Sequence, residues 1–353
     1  MNRRRLLTPG PVELHPRAVE ALSQPQVHHR TEEARLQFLE AARWLKEAWG
    51  TQGKVLLLTG SATAAMEALV LNLFQPGEEV WVPVYGKFSE RWAEIATAAG
   101  LKVVRQDLEW GSVPTPEDIQ ELPGSLAGAL LTHSETSTGA LLDLPSLAAA
   151  LRARFAEARI AVDMVTSLLV SPVGLEAWGV DAAVAGSQKG SMCPPGLSYV
   201  ALAPRALAEL RARGYYLDLS RELRAQERGE SAWTPAINLI LAVRAVLAEI
   251  VPAREELLAL RQAQIEVIYR AGERLGLRPV PERKSPAVAA FWLPEGVTYA
   301  QVKEAFARRG AIVAGGQGRL QGKILRLSLM GYSDLYDALV VAQMLEEVVG
   351  ELA

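Results

Sequence analysis

Between positions 55 and 203 the chain alternates short, nearly continuous apolar runs with longer amphipathic stretches. Runs of the first kind are strands buried on both faces, and the second kind are helices that cover a sheet. The predicted strands are VLLLT from Val55, EVWVPV from Glu79, KVVRQ from Lys102, AGALLT from Ala127, RIAVDMV from Arg159, DAAVAGS from Asp181 and LSYVALA from Leu197. Helices are expected over 64–74, 88–99 and 144–158. Strands alternating with helices give crossover connections and hence parallel pairing. One connection breaks that rule: the stretch from Gln188 to Leu197 is too short for a crossover helix, so the last two strands should pair antiparallel. The expectation is an α/β fold with a mixed, mostly parallel seven-stranded sheet flanked by helices. From Thr234 the pattern changes to long helices through about Leu275, then to small strands and helices that include KILRLSL and a terminal helix. This predicts a large domain over 15–253 and a smaller α+β domain made of 1–14 and 254–353.

Composition narrows the partners. With 353 residues, 50% of them hydrophobic, the chain can bury a full core. A formal net charge of -3 gives no basic excess that would call for nucleic acid or an anionic membrane. Cys193 is the only cysteine, which excludes an intrachain disulfide and a cysteine-rich zinc site. Apolar runs such as VLLL are too short to span a bilayer. Arg3, Arg4 and Arg5 could open an export signal, but TPGPVELHP follows where an apolar stretch is needed, so a cytoplasmic location is expected.

Four places could carry chemistry. In TGSATAAMEA a strand stops at Gly60 and a helix starts with Ser61, Ala62 and Thr63 offering free backbone amides, a ready anion site, although Ser61 could equally be ordinary helix punctuation. Asp163 ends the apolar run RIAVD, where a buried carboxylate needs a cation or donors to meet it; capping a short following helix is the plainer reading. Lys189 in AGSQKG follows a strand and precedes PPG, where desolvation would ready its amine for nucleophilic use; a surface lysine would mean nothing. In KILRLSL, alternation puts Leu325, Leu327 and Leu329 on one face and Ile324, Arg326 and Ser328 on the other. Arg326 there could grip a carboxylate or lie solvated on an outer face. GGQGRLQG resembles a dinucleotide loop but leads into a strand, so a pyrophosphate has no helix start to bind. His15, His28, His29 and His133 have no metal-ligand spacing, so no metal is expected.

Taken together and in order, TGSATAAMEA, LTHSETSTG, AVDMVTS, GSQKG with PPG, and LRLSLMG resemble the class V aminotransferases, from TPGPVELHP almost to the C-terminus. That resemblance implies a fold-type I architecture dependent on pyridoxal 5'-phosphate (PLP), and a homodimer with shared active sites. It implies Lys189 as the Schiff-base lysine and Asp163 as the partner of the pyridine nitrogen. Ser61, Ala62 and Gln188 correspond to positions that hold the cofactor phosphate. Phe88 in YGKFSERW corresponds to the stacking aromatic, and Thr136 to a polar contact. Thr63, Val165, Ser187 and Thr234 complete the implied cofactor set, Thr234 reaching the neighbouring subunit's phosphate from SAWTPAINLI. Close relatives can have a tyrosine where this chain has Ser231. Arg326 corresponds to the residue that binds the substrate α-carboxylate, with Gly10 and Arg30 as further substrate contacts.

The implied reaction is transamination between a small amino acid, alanine or serine, and a 2-oxo acid, glyoxylate or pyruvate, with Lys189 as anchor and proton carrier. His29 and Arg30 resemble a pair near the start of phosphoserine enzymes, which leaves an acidic donor, aspartate or phosphoserine, open. A PLP-dependent lyase or desulfurase fits less well, because Cys193 sits four residues past the lysine. A non-catalytic PLP-binding protein is the remaining alternative.

Overall fold

The computed structural model describes residues 4–352; Arg3 of the basic start and the first residues of the expected small domain lie outside them. The seven strands of the main sheet are β1 (Lys54–Thr59), β2 (Glu79–Val84), β3 (Lys102–Asp107), β4 (Gly128–Thr132), β5 (Arg159–Asp163), β6 (Ala182–Gly186) and β7 (Leu197–Leu202). Their order across the sheet is β1-β7-β6-β5-β4-β2-β3. Only β7 runs against its neighbours: it is antiparallel to β6, as the short connection requires, and also to β1. The remaining pairs are parallel.

Alternate residues of each strand feed opposite layers. Leu57 joins a core with Phe38, Leu45, Leu147 and Val243, whereas Leu56 and Leu58 join one with Ala65, Leu69, Trp92 and Leu219. The helices Ala62–Leu73 and Lys87–Ala98 start slightly earlier than the apolar pattern suggests. The helix Leu144–Arg154 ends earlier than expected, because the chain turns after Phe155 to bring Arg159 into β5.

Helices Ile237–Ile250 and Arg254–Arg274 lead to a three-stranded antiparallel sheet with Ile324–Leu327 in the middle, flanked by Ala289–Trp292 and Ala314–Gly315. Its own core gathers Ile268, Phe291, Phe306, Leu327 and Leu345, together with Leu7 from the N-terminal segment. Arg5–Leu6 pairs in parallel with Ala311–Ile312, which fastens that segment to this unit. Among the described residues no helix is long and apolar enough to cross a membrane.

Candidate active site

Parallel strands bring their C-terminal ends to one edge of a sheet, and loops there are free to vary without disturbing the core. At that edge lie Thr59 of β1, Val84 of β2, Thr132 of β4, Asp163 of β5 and Gly186 of β6. TGSATAAMEA, LTHSETSTG, AVDMVTS and GSQKG each span the end of one of these strands, and LRLSLMG comes from the small sheet, so the site is assembled by topology from separated segments.

Asp163 is buried and 5% exposed. Its carboxylate accepts the Val165 N–H at 2.8 Å, two residues on, so it braces a turn and caps no helix. Burial is the main reason its pKa rises from 3.8 to about 6; nearby Glu135 pushes the same way, while Arg91 and Lys189 oppose it.

Lys189 lies in a tight turn between β6 and β7, closed by Met192 N–H to Lys189 O at 2.8 Å and Cys193 N–H to Ser187 O at 3.0 Å. The residue is half-buried, but its amine points inward and donates to the Pro9 carbonyl. Gly10 has φ +133°, and a Cβ there would collide with Lys189 Nζ and Cε, so both backbone and space demand glycine. Desolvation lowers the lysine pKa from 10.5 to about 8, with Asp163 opposing and Arg326 and Arg91 assisting.

The start of helix Ala62–Leu73 is bare. Ser61 sits at its N-cap and makes no side-chain cap bond, leaving the first amides for another acceptor. Gln188 Oε1 is buried beside it without a hydrogen-bond partner, and a Cβ on Gly186 would meet that oxygen at 2.8 Å. Thr63 Oγ1 accepts from Arg91 at 3.2 Å. Phe88 is half-buried, with the Arg91 guanidinium carbon 5.0 Å from the ring centroid.

Arg326 enters from the middle strand of the small sheet and is 5% exposed, which excludes the solvated outer-face reading. Its Nε donates to Gly315 O at 2.8 Å and its Nη1 to Thr136 O at 2.8 Å, so it spans from the small sheet to the loop after β4. Burial lowers its pKa to about 10, yet it stays charged at neutral pH.

These residues fit PLP on chemical grounds: bare helix amides for a phosphate, with the Gln188 side-chain amide able to turn its NH2 toward it, a buried carboxylate for a pyridine nitrogen, and a desolvated lysine for an aldehyde. Three expected residues stand apart. Ser187 is fully buried and its hydroxyl donates to Pro194 O at 2.6 Å, which commits it to the PPG turn. Thr234 is exposed and borders a small cleft with Ala64 and Trp233. Arg30 is exposed, with its N–H on His28 Nδ1 at 3.2 Å and its charge near Glu230; one chain does not bring it to Lys189. Two residues went unread in the sequence. Arg91 lies three positions after Phe88, hence on the same helix face, and Glu135 was inside a quoted motif. Among the described residues no cluster of His, Cys, Asp and Glu could hold a metal.

The fold is that of the fold-type I PLP aminotransferases. Residues 17–338 match the family Aminotransferase class-V, and the chain belongs to it. It is similar to the solved structure of a subgroup IV aspartate aminotransferase from Thermus thermophilus, with 64% identity and a TM-score of 0.97 over 99% of this chain and 100% of that one. An alanine–glyoxylate aminotransferase structure from Nostoc sp. shares 31% identity, with a TM-score of 0.91 over 99% and 96% of the two chains. The soluble hydrogenase 42 kDa subunit of Anabaena cylindrica is 34% identical over 98% of this chain and 93% of that protein.

Proposed function

We propose that this PLP-dependent aminotransferase takes its amino group from aspartate and passes it to a 2-oxo acid. The observation that carries the donor is the 64% identity, over 99% of the chain, to a structure described as an aspartate aminotransferase. The second reading, an alanine or serine donor with glyoxylate, is the one expected from the sequence, and the similarity to an alanine–glyoxylate aminotransferase favours it.

The chain's own residues have distinct tasks in this reading. Bound PLP supplies an electron sink for the carbanion formed at the substrate α-carbon. Asp163 would hold a proton on the pyridine nitrogen, and Phe88 would pack against the ring. Ser61, Ala62, Thr63 and Gln188 receive the phosphate, Ser187 supports their turn, and Thr136 and Val165 line the ring. Lys189 would anchor the cofactor through its amine and would carry a proton from the substrate α-carbon; its pKa of about 8 suits an amine that must be neutral to do so. Arg326 takes the α-carboxylate, with Gly10 leaving room beside the lysine. Thr234 and Arg30 are exposed on the single chain, and in a homodimer they would serve the partner's site.

The test is a donor panel: aspartate, alanine, serine and phosphoserine are mixed in turn with the PLP-loaded enzyme, and the loss of cofactor absorbance is timed. Aspartate is expected to react fastest. Faster reaction with alanine or serine would transfer the assignment to the second reading, and no response to any donor would favour a non-catalytic PLP-binding protein. Sedimentation at micromolar concentration tests the dimer, and a monomer would refute it.

A further inference from the structure

Glu135 is fully buried, and among the described residues no lysine or arginine forms an ion pair with it. Its carboxylate instead collects hydrogen-bond donors from two segments. From the start of helix Lys87–Ala98 come Phe88 N–H at 3.0 Å, Ser89 N–H at 2.8 Å and the Ser89 hydroxyl at 3.1 Å. From its own loop come Ser137 N–H at 3.2 Å and the Ser137 hydroxyl at 2.6 Å. The helix has no side-chain cap of its own, because Gly86 stands at the N-cap and any Cβ there would collide with the Glu135 side chain. A buried carboxylate is costly, and donors together with a helix N-terminus are what make it tolerable.

Such an arrangement fixes more than a helix end. The amide of Phe88 is one of the donors, so the carboxylate sets the backbone from which the ring projects. The next residue in the loop is Thr136, whose carbonyl accepts Arg326 Nη1 at 2.8 Å. We propose that Glu135 is a positioning residue: one buried carboxylate holds Phe88 against the cofactor ring and, through Thr136, holds Arg326 where the substrate carboxylate binds. The proposal rests on the roles assigned above to Phe88 and Arg326.

Glu135→Gln keeps the size of the side chain but turns an NH2 group toward N–H donors. Apoprotein of the variant is titrated with PLP and followed by cofactor absorbance and by the induced circular dichroism of the bound ring, with far-ultraviolet circular dichroism as the check on folding. PLP affinity should fall about tenfold or more, given the strength of charge-assisted hydrogen bonds, and the induced band should shrink. Glu135→Asp, which keeps the charge, should recover part of both. Affinity within twofold of wild type with an unchanged induced band would overturn the proposal, however far the melting temperature moved, because a mere folding cap predicts that result. If the glutamine variant does not fold, Ser137→Ala removes the 2.6 Å donor together with the oxygen that accepts the Lys87 N–H at 2.9 Å, and should weaken PLP binding about threefold; no change there would equally overturn it. Wild-type protein that takes up no PLP would remove the cofactor reading itself, a failure distinct from that of Glu135.

Discussion

Replacing Asp163 by asparagine should stabilise the protein that lacks its cofactor while ruining cofactor binding. The carboxylate is buried and receives one backbone N–H, from Val165 at 2.8 Å, which asparagine Oδ1 can also accept. Its pKa lies at about 6 in the fold against an ordinary 3.8, a difference equivalent to about 3 kcal/mol. Because the folded value is the higher one, stability from this group is fully present below 3.8 and is lost as pH rises through about 6. Apoprotein carrying Asp163→Asn should therefore exceed wild type by up to about 3 kcal/mol near pH 8, the gap narrowing through about pH 6 and vanishing near pH 4. Guanidinium unfolding of both apoproteins at several pH values measures it. Adding PLP should reverse the order, since a ligand stabilises in proportion to the logarithm of its concentration over Kd and wild type binds it more tightly. An apo variant less stable than wild type near pH 8, or a gap independent of pH, would refute the reasoning.

Three further outcomes follow from the same geometry. Lys189→Ala should fold, losing only the bond to Pro9 O, yet show no borohydride-fixed cofactor on peptide mapping and turnover reduced by roughly 10²-fold or more; normal turnover would exclude the lysine's role. Arg326→Lys keeps the charge but not the planar fork, so KM for the amino donor should rise about tenfold or more, the equivalent of ~1.5–3 kcal/mol for a charged hydrogen bond. PLP uptake by apoprotein needs a neutral lysine, so its rate should rise about tenfold from pH 7 to 9 and then level off, as a pKa of about 8 requires; a rise continuing beyond pH 10 would show an unperturbed amine.

What was legible in the sequence is what rests on local periodicity. The strands around Asp163 and Lys189 could be read because a strand buried on both faces is apolar throughout, and the reversed direction of β7 followed from a connection too short to cross over. Arg326 could be placed on a face by alternation, but whether that face was wet depended on the loop holding Thr136, a contact 190 residues away in the chain. Glu135 was missed for a related reason: its donors at Phe88 and Ser89 are some 46 residues upstream, and nothing in a window around the glutamate shows that they meet it. Arg30 and Thr234 are the converse case, where a motif suggests a site residue that the single chain leaves exposed. Local pattern reports which residues are buried; it does not report what they are buried against.

The placement of charge separates a binding site from an ordinary ionic network. Elsewhere, some buried charges meet directly, as Asp181 does with Arg152 and Arg159 with Glu78 at 3.0 Å, while Arg261 is held by the carbonyls of Leu329 and Gly331. In the site, Glu135, Arg91 and Lys189 act on the Asp163 carboxyl, and Asp163, Arg326 and Arg91 act on the Lys189 amine, yet among the described residues none of these anions forms an ion pair with any of these cations. Charges kept apart at a cost in desolvation are poorly explained by stability, since apolar replacements or contact pairs would serve it better. Arg91, Arg326 and Asp163 are explained if each faces a charge that the ligands bring, a phosphate at the bare helix start, a carboxylate and a pyridinium respectively, while Lys189 meets an aldehyde. Glu135 faces none of these, which is why its role is to hold the frame in which the others meet them.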